Sequence, residues 1–205
     1  MLEIGLASFV SFFVIVDPLG TSAVFSALTS GAPAQERRMI AVKAFVIATL
    51  LLVLFGIGGK FLLLKVGISL DAFRVAGGLL LFVTAFRMLM GFHDKKKLES
   101  SENCYSDNSS VAIFPLAIPL LAGPGCMTSV ILNMSSTPIF YEKIVVMFAM
   151  VLVQILALFA MLTAGKITQI LGDSAASLLA RLMGILLASL SVQFVADGTK
   201  SLFGI

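Results

Sequence analysis

Polar and helix-breaking residues interrupt an apolar run near the N-terminus. The run covers residues 4–28, and the interruption reads Asp17-Pro18-Leu19-Gly20-Thr21-Ser22. Proline removes a backbone donor and glycine loosens the backbone, so a helix must kink or break here and expose main-chain amides. Inside a bilayer such amides need a partner from protein, water or a ligand. The interruption is therefore a candidate binding site.

A second interruption of the same kind reads Gly123-Pro124-Gly125-Cys126-Met127-Thr128-Ser129. Each proline should begin a half-helix, whose first unpaired amides and dipole attract anions such as carboxylates. The amides expected to be unpaired are those of Leu19, Gly20, Thr21, Gly125, Cys126 and Met127, and nearby hydroxyls could share the coordination. The predicted substrate-binding residues are Asp17, Pro18, Leu19, Gly20, Thr21, Ser22, Gly123, Pro124, Gly125, Cys126, Thr128 and Ser129.

Asp17 allows two interpretations. As a helix N-cap before a proline it would have only a structural role. As an intramembrane carboxylate it could bind a substrate ammonium, a sodium ion or a transported proton. Gly123 stands at the corresponding position of the second interruption, so this coupling candidate has no acidic counterpart there.

The composition is that of an integral membrane protein. Of 205 residues, 59% are hydrophobic and 12% charged, and the mean hydropathy is +1.08, whereas soluble domains are about 25% charged. At about 20 residues per spanning helix the chain has room for about six helices. We therefore expect an all-α, polytopic fold in the lipid bilayer, with residues 1–205 forming a single transmembrane domain.

The sequence contains no motif or residue cluster typical of an enzyme, a metal site or nucleic-acid binding. Its one histidine, His93, and its two cysteines, Cys104 and Cys126, are poorly placed for a metal site or a disulfide framework. It contains no nucleotide-binding, hydrolase or metal motif. We expect no catalytic residues, no metal and no cofactor.

An internal repeat divides the chain. A shift of 106 residues superposes Pro18 on Pro124, Glu36 on Glu142 and Lys60 on Lys166. Two three-helix repeats, 1–91 and 111–205, would flank a polar loop at 92–110. Because three is odd, the repeats must be inverted in the membrane, as in many secondary transporters. The predicted helices cover about residues 4–28, 44–59, 70–87, 111–134, 143–166 and 175–196.

The lysine and arginine distribution predicts the orientation. Loops 1, 3 and 5 with their flanks hold nine of these residues, and the opposite side holds five. Because cytoplasmic loops are enriched in lysine and arginine, both termini should lie outside.

Blander interpretations of these features stay open. The two prolines could be kinks that only help the helices to pack. Gln154 and Gln193 are more typical of interhelical hydrogen bonds than of ligand binding, and Gly77, Gly78 and Gly184 of close helix contacts. For the protein as a whole, the rivals of a transporter are a channel or passive pore and a structural or regulatory membrane protein.

Four motifs resemble the MarC family of bacterial inner-membrane proteins. They are Asp17-Pro18-Leu19-Gly20, the run Gly67-Ile68-Ser69 through Arg74-Val75-Ala76-Gly77-Gly78, the run Pro115-Leu116-Ala117-Ile118-Pro119 leading to Ala122-Gly123-Pro124-Gly125, and Arg181-Leu182-Met183-Gly184.

The resemblance implies a six-helix protein distantly similar to LysE-type exporters. It also implies transport, and some members are described as transporters of small neutral amino acids, although the resemblance does not fix the substrate and a small organic anion stays an alternative. Coupling to protons or sodium stays open. Many members carry asparagine where this chain has Asp17, so this chain departs from the family motif at that position.

Overall fold

The fold is built from α-helices. The computed structural model describes residues 2–29, 32–90 and 121–204, and these contain six helices and no strand. The helices are α1 (Leu2–Val16), α2 (Pro18–Leu28), α3 (Ala34–Val66), α4 (Leu70–Leu89), α5 (Pro124–Ser136) and α6 (Phe140–Phe203). The predicted loop at 92–110 and the start of the predicted fourth helix at 111–120 lie outside the described residues.

Four segments of these helices are long and apolar enough to cross a membrane. They are Glu3–Ser26, which covers most of α1 and α2, Ala34–Val66, Phe140–Ala164 and Arg181–Phe203. Large apolar side chains such as Leu50, Ile57 and Phe159 are exposed on their outer faces. Such surface is stable in contact with lipid, which is consistent with a multi-pass membrane protein.

The second predicted helix is longer in the structure than the sequence indicated. It should have ended at Gly58-Gly59-Lys60, but α3 continues to Val66 and ends at Gly67, whose φ of 79° gives a left-handed C-cap. Glycine weakens a helix only modestly, and Gly59 lies directly against Ile131 of α5. Gly59 therefore serves helix packing, because it has no side chain to keep Ile131 away. The helix ends instead at Gly67, where the backbone has a positive φ.

The prediction of separate helices at 143–166 and 175–196 was also wrong for the backbone, which is helical throughout α6. The first half of the chain has a Gly67 C-cap followed by a Ser69 N-cap whose side chain accepts from the Ala72 amide. The second half has no proline between 140 and 203 and carries Asp173 at the position equivalent to Gly67. The second half therefore has neither a proline nor a glycine at this position to end the helix.

The packing shows that α6 is nevertheless strongly bent. In a straight helix Met147 and Ser191 would be about 66 Å apart at about 1.5 Å per residue. A chain of direct contacts through α3, α5 and α4 limits their separation to about 45 Å. The contacts are Met147 with Gly56, Gly56 with Val130, Gly125 with Leu81 and Gly78 with Ser191. The two apolar parts of α6 therefore lie at an angle to each other, and α6 contacts all five other helices.

The main core includes one face of α3 and one face of the first part of α6. Both helices bury one residue about every three or four positions, the period of a single helix face. On α3 these residues are Ala41, Ala44, Ala48, Leu52, Gly56, Gly59 and Leu63, and on α6 they are Val146, Met150, Val153, Ala157, Met161 and Ala164. The small residues allow close approach of the backbones, which drives helix association in a lipid environment.

Glycines also set the contact between α4 and the last part of α6. A Cβ atom at Gly78 would lie 2.9 Å from the Ser191 carbonyl oxygen, and one at Gly198 would lie 2.9 Å from that of Asp71. Gly184 packs against Leu89 and Met88 in the same way. The expected role of Gly77, Gly78 and Gly184 in close helix contacts is confirmed. The pairing also shows that the two helices run antiparallel.

This packing makes a testable prediction. Gly78→Ala should lower the stability of the purified protein by about 1–3 kcal/mol, because the added methyl group meets backbone atoms that cannot move away. Gly58→Ala is the matched control, since nothing lies within 4 Å of its Cβ position. Thermal unfolding in detergent, followed by size-exclusion chromatography, compares the variants. Equal stabilities of the two variants would contradict the packing.

Candidate functional site

The first interruption falls on one residue. Asp17 has a φ of 44°, between the end of α1 at Val16 and the start of α2 at Pro18. Helical hydrogen bonds nevertheless cross it, since the Asp17 amide donates to Phe13 O at 3.0 Å and the Thr21 amide to Asp17 O at 2.8 Å. The Thr21 amide, which the sequence predicted to be unpaired, is therefore in use.

The Asp17 side chain caps the N-terminus of α2. Its Oδ1 accepts a hydrogen bond from the Gly20 amide at 3.1 Å, so the second amide predicted to be unpaired is also in use. The carboxylate occupies the space where a Cβ atom of Gly20 would lie, and Asp17 is 6% exposed. The structure thus shows the capping role, while the coupling role stays a prediction.

The second interruption leaves its helix end uncapped. Gly123 is the N-cap of α5, followed by Pro124, and it has no side chain with which to cap the first turn. The Met127 amide donates to Gly123 O at 3.0 Å, so it too is in use, contrary to expectation. By their place in the first turn, the amides of Gly125 and Cys126 have no acceptor within α5. Both residues are buried, which makes this end the better anion site of the two.

The hydroxyl groups of the predicted site are buried and hydrogen-bonded within their own helices, except that of Thr21, which bonds to the last residue of α1. Thr21 donates to Val16 O at 2.8 Å and Thr128 to Pro124 O at 2.8 Å. Ser22 donates to Leu19 O at 2.7 Å. Ser129 Oγ accepts from Asn133 Nδ2 at 3.2 Å. The hydroxyl groups of Thr21, Ser22 and Thr128 already donate their hydrogens to backbone carbonyls. Toward a ligand they can therefore serve mainly as hydrogen-bond acceptors.

The two interruptions adjoin the same packed region. Val16, Ala122 and Cys126 belong to the same buried cluster, and α1 contacts α5. The Leu81 side chain of α4 lies on Gly125, in the space where a Cβ atom would be, and Thr128 lies on Gly77 in the same way. Helix α4 therefore covers the N-terminus of α5.

Gln154 is a further polar residue at this site. Its Nε2 donates to the carbonyl oxygen of Leu121 at 3.0 Å, and the side chain is fully buried. Gln154 therefore bonds to another segment of the chain, although Leu121 lies just before α5 and not within one of the six helices. Gln193 differs, since it donates to Asp197 one turn along its own helix at 2.7 Å. The sequence signal for Gln154 was a single strongly polar residue in an apolar span, but it did not reveal that Leu121 O is the partner.

Metal binding finds no support in this part of the chain. Within 2–29, 32–90 and 121–204, no three His, Cys, Asp or Glu residues come together in an arrangement that could hold an ion. The chemistry available at the two interruptions is hydrogen bonding by backbone amides, Asp17, Gln154 and hydroxyl oxygens.

Comparison with known proteins gives the family. The family model described as "MarC family integral membrane protein" matches residues 2–203. The chain belongs to the MarC family.

Relatives of this MarC protein occur in archaea and bacteria. It is 32% identical over 199 residues to a UPF0056 membrane protein of Methanocaldococcus jannaschii, covering 97% of each chain. It is 35% identical over 196 residues to a UPF0056 membrane protein of Aquifex aeolicus, covering 95% of this chain and 92% of the other. No solved structure matches. The resemblance that the four motifs suggested is confirmed.

The cap on α2 leads to a second prediction. Asp17→Ala should lower stability by about 1–2 kcal/mol because the Gly20 amide loses its acceptor. Asp17→Asn is the matched control, since its side-chain oxygen can still cap and asparagine tolerates positive φ. Thermal unfolding of the purified variants measures both. A loss of stability in Asp17→Asn equal to that in Asp17→Ala would contradict the capping role.

Proposed function

We propose that this MarC protein is a secondary transporter of small solutes, with small neutral amino acids as the favoured substrates. The observation that carries the proposal is that both interruptions adjoin one buried cluster, which contains Val16 before Pro18 and Ala122 and Cys126 on either side of Pro124, with buried polar groups and backbone amides beside it. Transporters bind substrates at discontinuous helices of this kind.

We further propose six spans arranged as two inverted halves, 1–91 and 111–205, that alternate access to the site. Helices α2 and α5 begin at Pro18 and Pro124, and α3 and α6 begin at Ala34 and Phe140, so both pairs keep the offset of 106. Contacts of Gly77 with Thr128 and Leu81 with Gly125 make α4 antiparallel to α5, as the third and fourth spans of such a protein must be. The strong bend in α6 allows its two apolar parts to act as separate spans.

The substrate class follows from the groups at the interruptions. The amides of Gly125 and Cys126 suit a carboxylate, supported by the positive end of the α5 dipole. An ammonium group needs an acceptor, and Asp17 or a carbonyl freed by an interruption could supply it. A small zwitterion satisfies both requirements within one short molecule.

The proposed location is the inner membrane of the cell, with both termini outside. The support is the excess of lysine and arginine in loops 1, 3 and 5. Labelling of single cysteines at both termini and near Lys95 with a membrane-impermeant reagent in whole cells tests it. Labelled termini and an unlabelled loop are expected, and the reverse pattern would overturn the orientation.

Uptake into proteoliposomes tests the function directly. The reconstituted protein should take up labelled alanine, glycine or serine with saturation and counter-exchange, with and without imposed pH or sodium gradients. Organic acids that lack an ammonium group serve as the comparison. Flux without saturation would favour a channel, and absence of any flux would favour a structural or regulatory protein.

The coupling role of Asp17 is tested in the same assay. Asp17→Asn should preserve the cap and the fold but abolish the stimulation of uptake by a pH or sodium gradient, because the carboxylate can no longer carry or bind the ion. Uptake without a gradient is the internal control. Gradient dependence equal to that of the wild type would show that Asp17 only caps α2.

A further inference from the structure

We propose that Gln154 binds the substrate, and that its Oε1 accepts a hydrogen bond from the ammonium group of the transported amino acid. This inference rests on the proposed transport function and deepens it. It places the ammonium at the second interruption, on a neutral side chain of α6, and thereby makes Gln154 a determinant of specificity for neutral amino acids.

The Gln154 amide has a defined orientation. A carbonyl oxygen can only accept a hydrogen bond, so the atom 3.0 Å from Leu121 O must be Nε2. The other atom of the amide, Oε1, therefore points away from Leu121. Gln154 is fully buried, and Oε1 has no hydrogen-bond partner within the parts of the chain that the structure describes. A buried acceptor in this position requires a donor from outside these residues.

Donor and acceptor groups flank the same turn of the chain. Leu121, whose carbonyl is bound by Gln154, lies two residues before the uncapped Gly123. On the other side of Gly123, the amides of Gly125 and Cys126 offer donors without acceptors in α5. A carboxylate at those amides and an ammonium at Oε1 would satisfy both sets of groups with one zwitterion.

Comparison of the two halves explains why this site lies in the second one. At the offset of 106, Asp17 corresponds to Gly123, and the buried Ala48 corresponds to Gln154. In the first half the polar side chain sits on the interrupted helix itself and caps it. In the second half the N-cap residue has no side chain to cap the helix end, and the polar side chain comes from a neighbouring helix. Because Gln154 is neutral, it suits a substrate whose charges balance and offers no counter-ion to a cationic side chain.

Competition against labelled alanine in proteoliposomes tests the inference. Gln154→Met should raise the inhibition constant of unlabelled alanine about ten- to a hundredfold, the loss expected for a hydrogen bond to a charged donor. The inhibition constant of propionate, which lacks the ammonium, should not change. Thr49→Val is the matched control, because it removes another buried polar atom without a described partner and should affect neither ligand.

Parallel loss of alanine and propionate binding in Gln154→Met would overturn the inference, because it would mean that Gln154 only holds Leu121. A second measurement does not depend on the fold of that variant. In wild-type protein labelled with ¹³Cδ glutamine, the Gln154 resonance, assigned by its absence in Gln154→Glu, should shift on addition of alanine and not of propionate. Normal alanine uptake with an unshifted resonance contradicts the role of Gln154 alone. No uptake of any amino acid and no shift would contradict the transport function as well.

Discussion

Backbone amides and carbonyls in a membrane must find hydrogen-bond partners, and this constraint governs the arrangement around both interruptions. A proline at each helix start removes one donor, and the change in helix direction separates other groups from their usual partners. In the first half, Asp17 supplies the acceptor for the Gly20 amide. In the second half, Gln154 supplies the donor for the Leu121 carbonyl. The same problem thus has two solutions in one chain, and the second leaves a helix N-terminus without a side-chain cap.

The packing around these groups joins the two halves of the chain. Helix α4 of the first half lies antiparallel to both α5 and the last part of α6, and glycines of all three helices lie at close contacts between them. In the proposed cycle, α4 is the element to move, because its Leu81 covers Gly125 and must leave before a ligand can reach the amides of α5.

The sequence was sufficient for the coarse architecture and for the family. Hydropathy predicted an all-helical membrane protein, and four motifs predicted the MarC family. Helix boundaries were harder. Gly58 and Gly59 looked like a helix end, but the residue that ends α3 is Gly67, where the backbone requires a positive φ. Local residue types do not show whether a glycine serves packing or termination, since that depends on the neighbouring helix.

The hydrogen bonds of the site were harder still to predict. The sequence marked Thr21, Gly20 and Met127 as sources of unpaired amides, but helical bonds across Asp17 and Gly123 and the Asp17 cap use all three. The partner of Gln154 lies 33 residues away in the chain. Sequence patterns describe neighbouring residues, so they do not predict a hydrogen bond over this separation. What the sequence did locate was the pair of interruptions from which these bonds follow.

The central claim is that a small amino acid binds at the second interruption, at the N-terminus of α5. Cys126, in the first turn of α5, provides a direct probe in a Cys104→Ser background, with Cys126→Ser as the control for labelling elsewhere. During transport a small thiol reagent should modify Cys126, and saturating alanine should slow this modification. A rate that is the same with and without alanine, or no modification of Cys126 in a transporting protein, would contradict the account.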